Sequence, residues 1–467
     1  MRSAYLAILL AASLPPTARS QDVAYRPSFE SAASNSLPQS SGAFDDSLFT
    51  AAAIAPPTTI EDRMAFLEKE LKKQADAAAR KHESDAQKPS FQIGGQLQID
   101  YLWFGQDQAN RATVGDVPDA VDFRRARFVA RGEAFEQLEY MIGFDFALAG
   151  RPSFLDVWVG AKDLPLLGHL RAGHFFEPFS LERLTQNSRN TFMERSLADT
   201  FAPARNLGIE AYDSLGEAER ATYAVGWFAA DSDDFGDQFT DTGGQALTAR
   251  ATCLPLWVDD GRVFLHLGAA YSYRTPPNHQ LSFATTPEAR AGAPATTNIP
   301  DFVSTGSIAA DRTQLFGAEW ALIYGPLYIQ SEYIAVPVDQ LNGPDLFFDA
   351  AYINLSYFLT GESRTYNKLF GILDRVFPYE NFFRVRTDDC SIVNGKGAWE
   401  IATRYSYIDL EDANIQGGRL HNYTIGLNWY LNAYTRMKWE VIQANLDRAP
   451  IGESQAYIAG MRFDIDF

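Results

Sequence analysis

The sequence predicts an all-β protein: a sixteen-stranded antiparallel transmembrane β-barrel preceded by a short N-terminal coiled-coil helix. Three observations carry this. The chain opens on an export signal and holds no apolar run of the ~20 residues that a membrane-spanning helix needs. It closes on a strand of two-residue alternation that finishes in Phe467. Between the two, candidate strands are joined by short and long connections in turn, as in bacterial membrane barrels.

The elements follow in chain order. Residues 1–20 read as a signal peptide: Arg2 supplies the positive region, 5–14 a short apolar core, and Ala18 and Ser20 the small-x-small cleavage pattern. Pro15 and Pro16 break any cytosolic helix here, and the mature chain is expected to begin at Gln21. Residues 21–59 are rich in Ser, Ala and Pro without a period, the composition of a disordered linker. In 60–88, Ile60, Met64, Leu67, Leu71, Gln74 and Ala78 form a heptad seam, with Thr59 placed to cap it and Asp62 in its first turn. This predicts a short periplasmic coiled coil that helps the protein oligomerise; a single solvated helix is the competing reading.

Residues 89–467 form the barrel domain. Its strands are expected near 91–104, 121–132, 137–149, 154–163, 168–174, 206–212, 220–229, 244–255, 261–273, 312–324, 326–335, 346–359, 396–407, 420–431, 434–444 and 454–467. Tyr423, Ile425, Leu427, Trp429 and Leu431 share one face against Asn422, Thr424, Gly426 and Asn428. In the last strand Tyr457, Ala459, Met461, Phe463, Ile465 and Phe467 alternate with Ile458, Gly460, Arg462, Asp464 and Asp466. A soluble sandwich would turn the wet face outward; a membrane barrel turns the greasy face to lipid. A terminal Phe inside a strand favours the barrel, since soluble domains tend to end in frayed polar tails. Phe463 and Phe467 are read as the membrane-insertion signal for the outer-membrane assembly machinery. Tight connections fall at Leu164-Pro165, Gly325-Pro326 and Asn432-Ala433, and long ones at 105–120, 175–205, 230–243 and 274–311. The even strand count puts both termini on the periplasmic side. Only 360–395 breaks the rule, as a long segment on the short-turn side.

Composition agrees. Aromatics make up 13% of the chain, which suits strands and interfacial girdles. The formal charge is -19; removing Arg2 and Arg19 with the signal leaves 38 basic against 59 acidic residues, which argues against nucleic acid as a partner. It does not set the sign of a pore, because acids such as Asp231, Asp233, Asp234, Asp237 and Asp241 fall in an expected loop. Cys253 and Cys390 can pair in an oxidising compartment, and the sequence leaves that open. There is no G-x-S-x-G, H-E-x-x-H or P-loop, and His174 and Glu177 lack metal-site spacing. No enzyme, metal or cofactor is expected.

The motifs FRRAR (123–127), RAGHFFEPFSLERLT (171–185), TFMERSL (191–197), FAPARNLGI (201–209), LTGESRTY (359–366) and GAWEIATRYSYIDL (397–410), with the Phe terminus, resemble the phosphate-selective porin O and P family over 91–467. The resemblance implies a sixteen-stranded outer-membrane barrel, a homotrimer, and an arginine-lined pore narrowed by an inward-folded third external loop, here 175–205. It implies passive diffusion of small anions such as phosphate or polyphosphate, with Arg124 and Arg125 matching the family's arginine pair and Arg189 a constriction-loop cation. The family's periplasmic lysine cluster is missing: 91–104 contains no Lys or Arg and does contain Asp100.

Read by alternation, Arg125, Arg127 and Arg131 share one face of the second strand and make a lumenal row, while Arg124 falls on the opposite face near the strand end. Arginine suits an oxyanion because its planar fork stays charged, and low-dielectric walls focus the field of a few such groups. The competing reading of FRRAR is a strand end anchored to lipid headgroups. For Arg189, Arg195 and Arg205 it is structural pairing with Glu182, Glu194 or other acids to hold the loop. Rival functions are a general or cation-leaning porin, a non-conducting barrel anchoring the envelope, or a soluble secreted β-protein.

Overall fold

The computed structural model describes residues 72 and 89–467, apart from 136, 148–151, 234, 293–298 and 387–391. The expected signal peptide, linker and coiled coil therefore lie outside the described residues, Lys72 aside, and so does Cys390. Sixteen long strands run in chain order: β1 (Gln92–Gln106), β2 (Ala120–Ala134), β3 (Leu138–Asp145), β4 (Ser153–Leu164), β5 (Gly168–Phe176), β6 (Arg205–Leu215), β7 (Ala221–Ala229) and β8 (Gln245–Val258). They continue as β9 (Val263–Thr275), β10 (Ile308–Tyr324), β11 (Leu327–Gln340), β12 (Leu346–Phe358), β13 (Ala398–Asp412), β14 (Ile415–Tyr430), β15 (Thr435–Arg448) and β16 (Gly452–Asp466).

Each strand pairs antiparallel with the next. The last pairs with the first from Gln96↔Asp466 to Gln106↔Ala456, which closes the barrel. Closure matters because it leaves no unpaired strand edge. Reciprocal backbone bonds between Gly95 and Phe467 finish the seam.

Alternation sets inside and outside. On β14, Tyr423 and Ile425 are exposed while Asn422 and Thr424 are buried. Outward aromatics gather at two levels. Trp399 stacks on Trp429 with ring centroids 5.0 Å apart at the short-turn end, and Tyr405 meets Tyr423 at 5.0 Å nearer the long loops. Cys253 is exposed on β8.

Loops pack into the lumen, and the sequence dictates how. Towards the long-loop end the inner wall of β11–β15 is apolar: Val336, Val338, Leu346, Phe348, Ile408, Leu410, Leu420 and Leu446 are buried there. Water would not wet such a wall cheaply. The loops 177–204 and 276–307 cover it with Phe179, Leu197, Phe201, Phe283 and Phe302. Each such side chain contributes about 1.5–3 kcal/mol on full burial. From the opposite end, the first part of segment 359–397 also turns inward, with Arg364 buried against Glu400 at 2.8 Å.

Candidate functional site

The loop 177–204, between β5 and β6, is held by its backbone. At its root Glu177 accepts from Asn206 and Arg274, each at 2.7 Å, and from the Thr248 hydroxyl. Carboxylates of the wall and of a neighbouring loop then accept its amides. Glu332 on β11 takes the N–H groups of Leu181 and Glu182, Glu440 on β15 takes Met193, and Glu288 of loop 276–307 takes Leu197. Cations of the wall donate to its carbonyls: Lys438 to Asn190 at 2.5 Å, Arg404 to Glu194 at 3.0 Å, Arg436 to Ser188 and Arg462 to Met193. These basic side chains on β13, β15 and β16 are thus committed to holding a loop. Charge-assisted bonds of this kind are about twice as strong as neutral ones.

Where this loop meets β2 and loop 276–307, a cavity of about 190 Å³ remains. Five arginines line it, Arg124, Arg125, Arg183, Arg195 and Arg290, against three carboxylates, Glu194, Asp199 and Glu288. Hydroxyls of Ser196, Thr200, Thr285 and Thr286 complete the wall. The lining therefore carries two more positive than negative groups.

The two adjacent arginines of FRRAR reach the same cavity because of a β-bulge. Gln98 pairs with Arg125 but Ile99 pairs with Phe123, so Arg124 is an extra residue in β2. A bulge re-aims one side chain without turning the strand over. This corrects the expectation from simple alternation that Arg124 faces away from Arg125. Glu194 binds both: Arg124 through Nε and Nη2 at 2.9 Å each, Arg125 at 3.4 Å. Arg462 joins at 2.6 Å and also grips Asp100 at 2.6 Å; Arg125 further donates to Gln98 at 2.6 Å. Burial works to raise the Glu194 carboxyl, but the guanidiniums of Arg124, Arg125 and Arg462 outweigh it and hold it well below the usual range. The Asp100 that breaks the family's pattern in the first strand thus serves as counter-ion to Arg462.

Arg183 faces Asp199 at 2.8 Å, and burial lowers its pKa to about 10. Arg195 donates to the carbonyls of Glu182 at 3.0 Å and Arg183 at 2.8 Å, and its ion-pair partner is the loop carboxylate of Asp199 at 3.8 Å rather than Glu182 or Glu194. Arg205 opens β6 and pairs with Asp156 at 2.8 Å, not with Glu182 or Glu194. All three of these guanidiniums lie within 6 Å of the Phe176 ring, nearest Arg205 at 3.8 Å. Glu182 accepts from the Ser196 amide and hydroxyl, and burial pushes its carboxyl up to about 7 against the pull of Arg404. Arg290, by contrast, is exposed and has no ion-pair or hydrogen-bond partner among the described residues.

The other expected arginines lie elsewhere. Arg127 pairs with Asp145 at 2.7 Å. Arg131 is exposed towards the short-turn end and donates to Gln92 at 3.3 Å. Arg189 is not in the cavity wall; it binds Asp374 at 2.9 Å, and Arg364 donates to its carbonyl, so it ties the loop to segment 359–397. Burial lowers its pKa. Phe463 faces outward on β16 and Phe467 is exposed beside Gly95. Among the described residues no cluster of His, Cys, Asp and Glu could hold a metal.

Sequence reasoning missed Arg183 and Arg290 in the cavity. ERL in 182–184 offered a weak signal for the first, a cation next to a paired acid. Nothing marks Arg290, which sits in a loop without periodicity.

Comparison with known proteins bears on this geometry. The family model described as "Phosphate-selective porin O and P" matches residues 91–464. A relative from Pseudomonas aeruginosa named "Porin O" is 28% identical over 394 residues, covering 77% of this chain and 84% of that protein. An uncharacterized protein of Caulobacter vibrioides is 25% identical over 398 residues, covering 81% and 74% respectively. Among solved structures, the anion-selective porin from Comamonas acidovorans superposes with a TM-score of 0.48 at 13% identity, covering 81% of this chain and all of that one.

Proposed function

The chain belongs to the phosphate-selective porin O and P family, and from that premise we propose that it is a pore for small anions, phosphate-type oxyanions among them. It is an outer-membrane β-barrel channel protein, so the short turns face the periplasm and the long loops the exterior. The observation that carries the anion reading is the cavity in which five guanidiniums meet three carboxylates, with Arg290 unpaired among the described residues. In this reading the cavity, bounded by loops 177–204 and 276–307, is the narrow point of the pore.

The physics runs from charge to flux. An anion arriving from outside sheds part of its water shell as it enters a low-dielectric constriction. Fixed guanidinium charge and hydroxyl donors replace that shell without reorganising, because the loop backbone is clamped. The acidic exterior does not prevent this, since a focused local field dominates over distant screened charge. Release needs weak binding. The carboxylates of Glu194 and Asp199 supply it by cancelling part of the positive field. Outside the cavity lining, the touching pairs Arg127–Asp145, Arg205–Asp156 and Arg171–Glu210 offer little net field to hold an anion that leaves it. We infer that residues 1–20 are removed on export, that 60–88 form a periplasmic coiled coil, and that the protein is a homotrimer.

The test is the chloride current of the reconstituted protein in a planar bilayer, titrated with phosphate. Phosphate should block chloride current, and Arg290→Ala should weaken the block while leaving the barrel folded. Phosphate without effect on the wild-type current would remove the oxyanion claim.

A further inference from the structure

Segment 359–397 has two parts with different surroundings. The first lies inside the barrel: Arg364 meets Glu400, Asp374 meets Arg189, and Arg375 meets Asp466. The second leaves the lumen. The Phe382 amide donates to the Leu431 carbonyl in the turn after β14 at 2.6 Å. Its ring meets Trp429 edge-on, with centroids 4.6 Å apart and planes at 74°.

Trp429 belongs to the outward row of β14. Its chain neighbours Asn428 and Tyr430 both point inward, to Glu400. Trp429 stacks on Trp399, itself outward on β13, and donates from its indole to the Lys396 carbonyl at 2.8 Å. The chain has therefore passed over the rim of the barrel and lies against its outer wall. There Phe383–Arg386 pairs antiparallel with Ile392–Gly395. Large apolar side chains on this stretch stay uncovered: Phe382 is 41% exposed, Phe383 62% and Ile392 55%.

We propose that Phe382 and the strand pair 383–386 with 392–395 form an interfacial anchor seated in the headgroup region of the phospholipid leaflet that faces the periplasm. Phe382, which leads into the strand pair, packs on Trp429, and Trp429 stacks on Trp399 in the aromatic belt where the barrel wall meets the membrane–water boundary, so the pair extends that belt sideways. Aromatic rings with an apolar body and a polar edge settle at this level of a bilayer. A soluble surface would leave Phe383 and Ile392 in water, with the free-energy cost that exposed apolar area carries. A lipid surface removes that cost. The inference does not depend on which ion the pore conducts.

The experiment uses the full-length protein reconstituted in phosphatidylethanolamine–phosphatidylglycerol vesicles. A Cys253→Ser, Cys390→Ser background carries Phe383→Cys, labelled with an environment-sensitive fluorophore. Heat-modifiable mobility on a gel certifies the folded barrel. A nitroxide on the lipid chain just below the headgroup should quench most of the emission, while aqueous iodide should quench it far less than free dye. Full iodide quenching would place the residue in water and overturn the proposal. Protection from both quenchers would place it against a second copy of the chain and also overturn it. The double variant Phe382→Ser, Phe383→Ser should keep its conductance but lose protection of 392–395 in hydrogen exchange only when lipid is present. Equal loss in detergent would mark a purely structural role.

Discussion

Replacing Glu194 with Gln should tighten the hold of the pore on anions and slow their release. The carboxylate sits in the cavity wall, 2.9 Å from Arg124 and 2.6 Å from Arg462, and is ionised throughout the working range. An anion in the cavity feels it at ~6 Å. At an effective dielectric of about 20 that repulsion is roughly 2.8 kcal/mol, and at about 40, for a wetter site, roughly 1.4 kcal/mol. Removing the charge should therefore lower the half-saturating anion concentration by about ten- to a hundredfold. Maximal current should fall with it, because the same free energy now opposes exit. Folding should survive. Gln keeps one acceptor, Arg462 keeps Asp100, and Arg125 keeps Gln98. The penalty, about 3–5 kcal/mol at most, falls on one network within a closed sheet. The assay is conductance against salt concentration in planar bilayers. Half-saturation unchanged within the error of the titration, in a folded variant, would show that no permeating anion comes near Glu194, and the cavity would lose its place in the pore.

Arg189→Ala should leave ion selectivity almost unchanged, since Asp374 already neutralises it, whereas Arg290→Ala should shift the reversal potential towards cations; both are read under one salt gradient. Loop 177–204 should loosen as pH rises. The Glu182 carboxyl lies near 7 in the folded protein, above its ordinary 4.5, so the stability it confers is full below about 4.5 and is lost as pH climbs through about 7. The protection factor of the Ser196 amide, which removes the intrinsic base-catalysed rise in exchange, should fall over that window, and Glu182→Gln should flatten the profile; an unchanged wild-type protection factor from pH 5 to pH 8 would count against it. Leu410→Ala should cost about 2–5 kcal/mol by opening the apolar wall under loops 177–204 and 276–307, and should appear as a lower unfolding midpoint in denaturant.

The barrel was legible in the sequence because its information is local. All sixteen strands lie where alternation puts them, with ends that differ by a few residues, as at β3 (Leu138–Asp145 against 137–149) and β13 (Ala398–Asp412 against 396–407). The exceptional long connection at 360–395 was legible as an exception, but not its course into the lumen and out over the rim. The site was only half legible. Alternation misplaced Arg124, because a bulge adds a residue that a period of two cannot anticipate. Partners were out of reach for another reason. Arg124 meets Glu194, Arg189 meets Asp374 and Arg462 meets Asp100, contacts separated by 70, 185 and 362 positions. No spacing rule links residues joined only by closure of the sheet and the infolding of loops. For the same reason the basic residues of β13, β15 and β16 gave no sign in the sequence that they serve as clamps for a loop.

The reversal potential of the purified wild-type protein in a planar bilayer, under a potassium chloride gradient, tests the anion pore most directly. A potential close to the chloride equilibrium value is the expected result if, as proposed, the cavity with its excess of guanidinium charge is the narrow point of the pore. A potential on the potassium side would contradict it, and would mean that the acidic balance of the chain, rather than the cavity around Arg290, sets the field that ions meet.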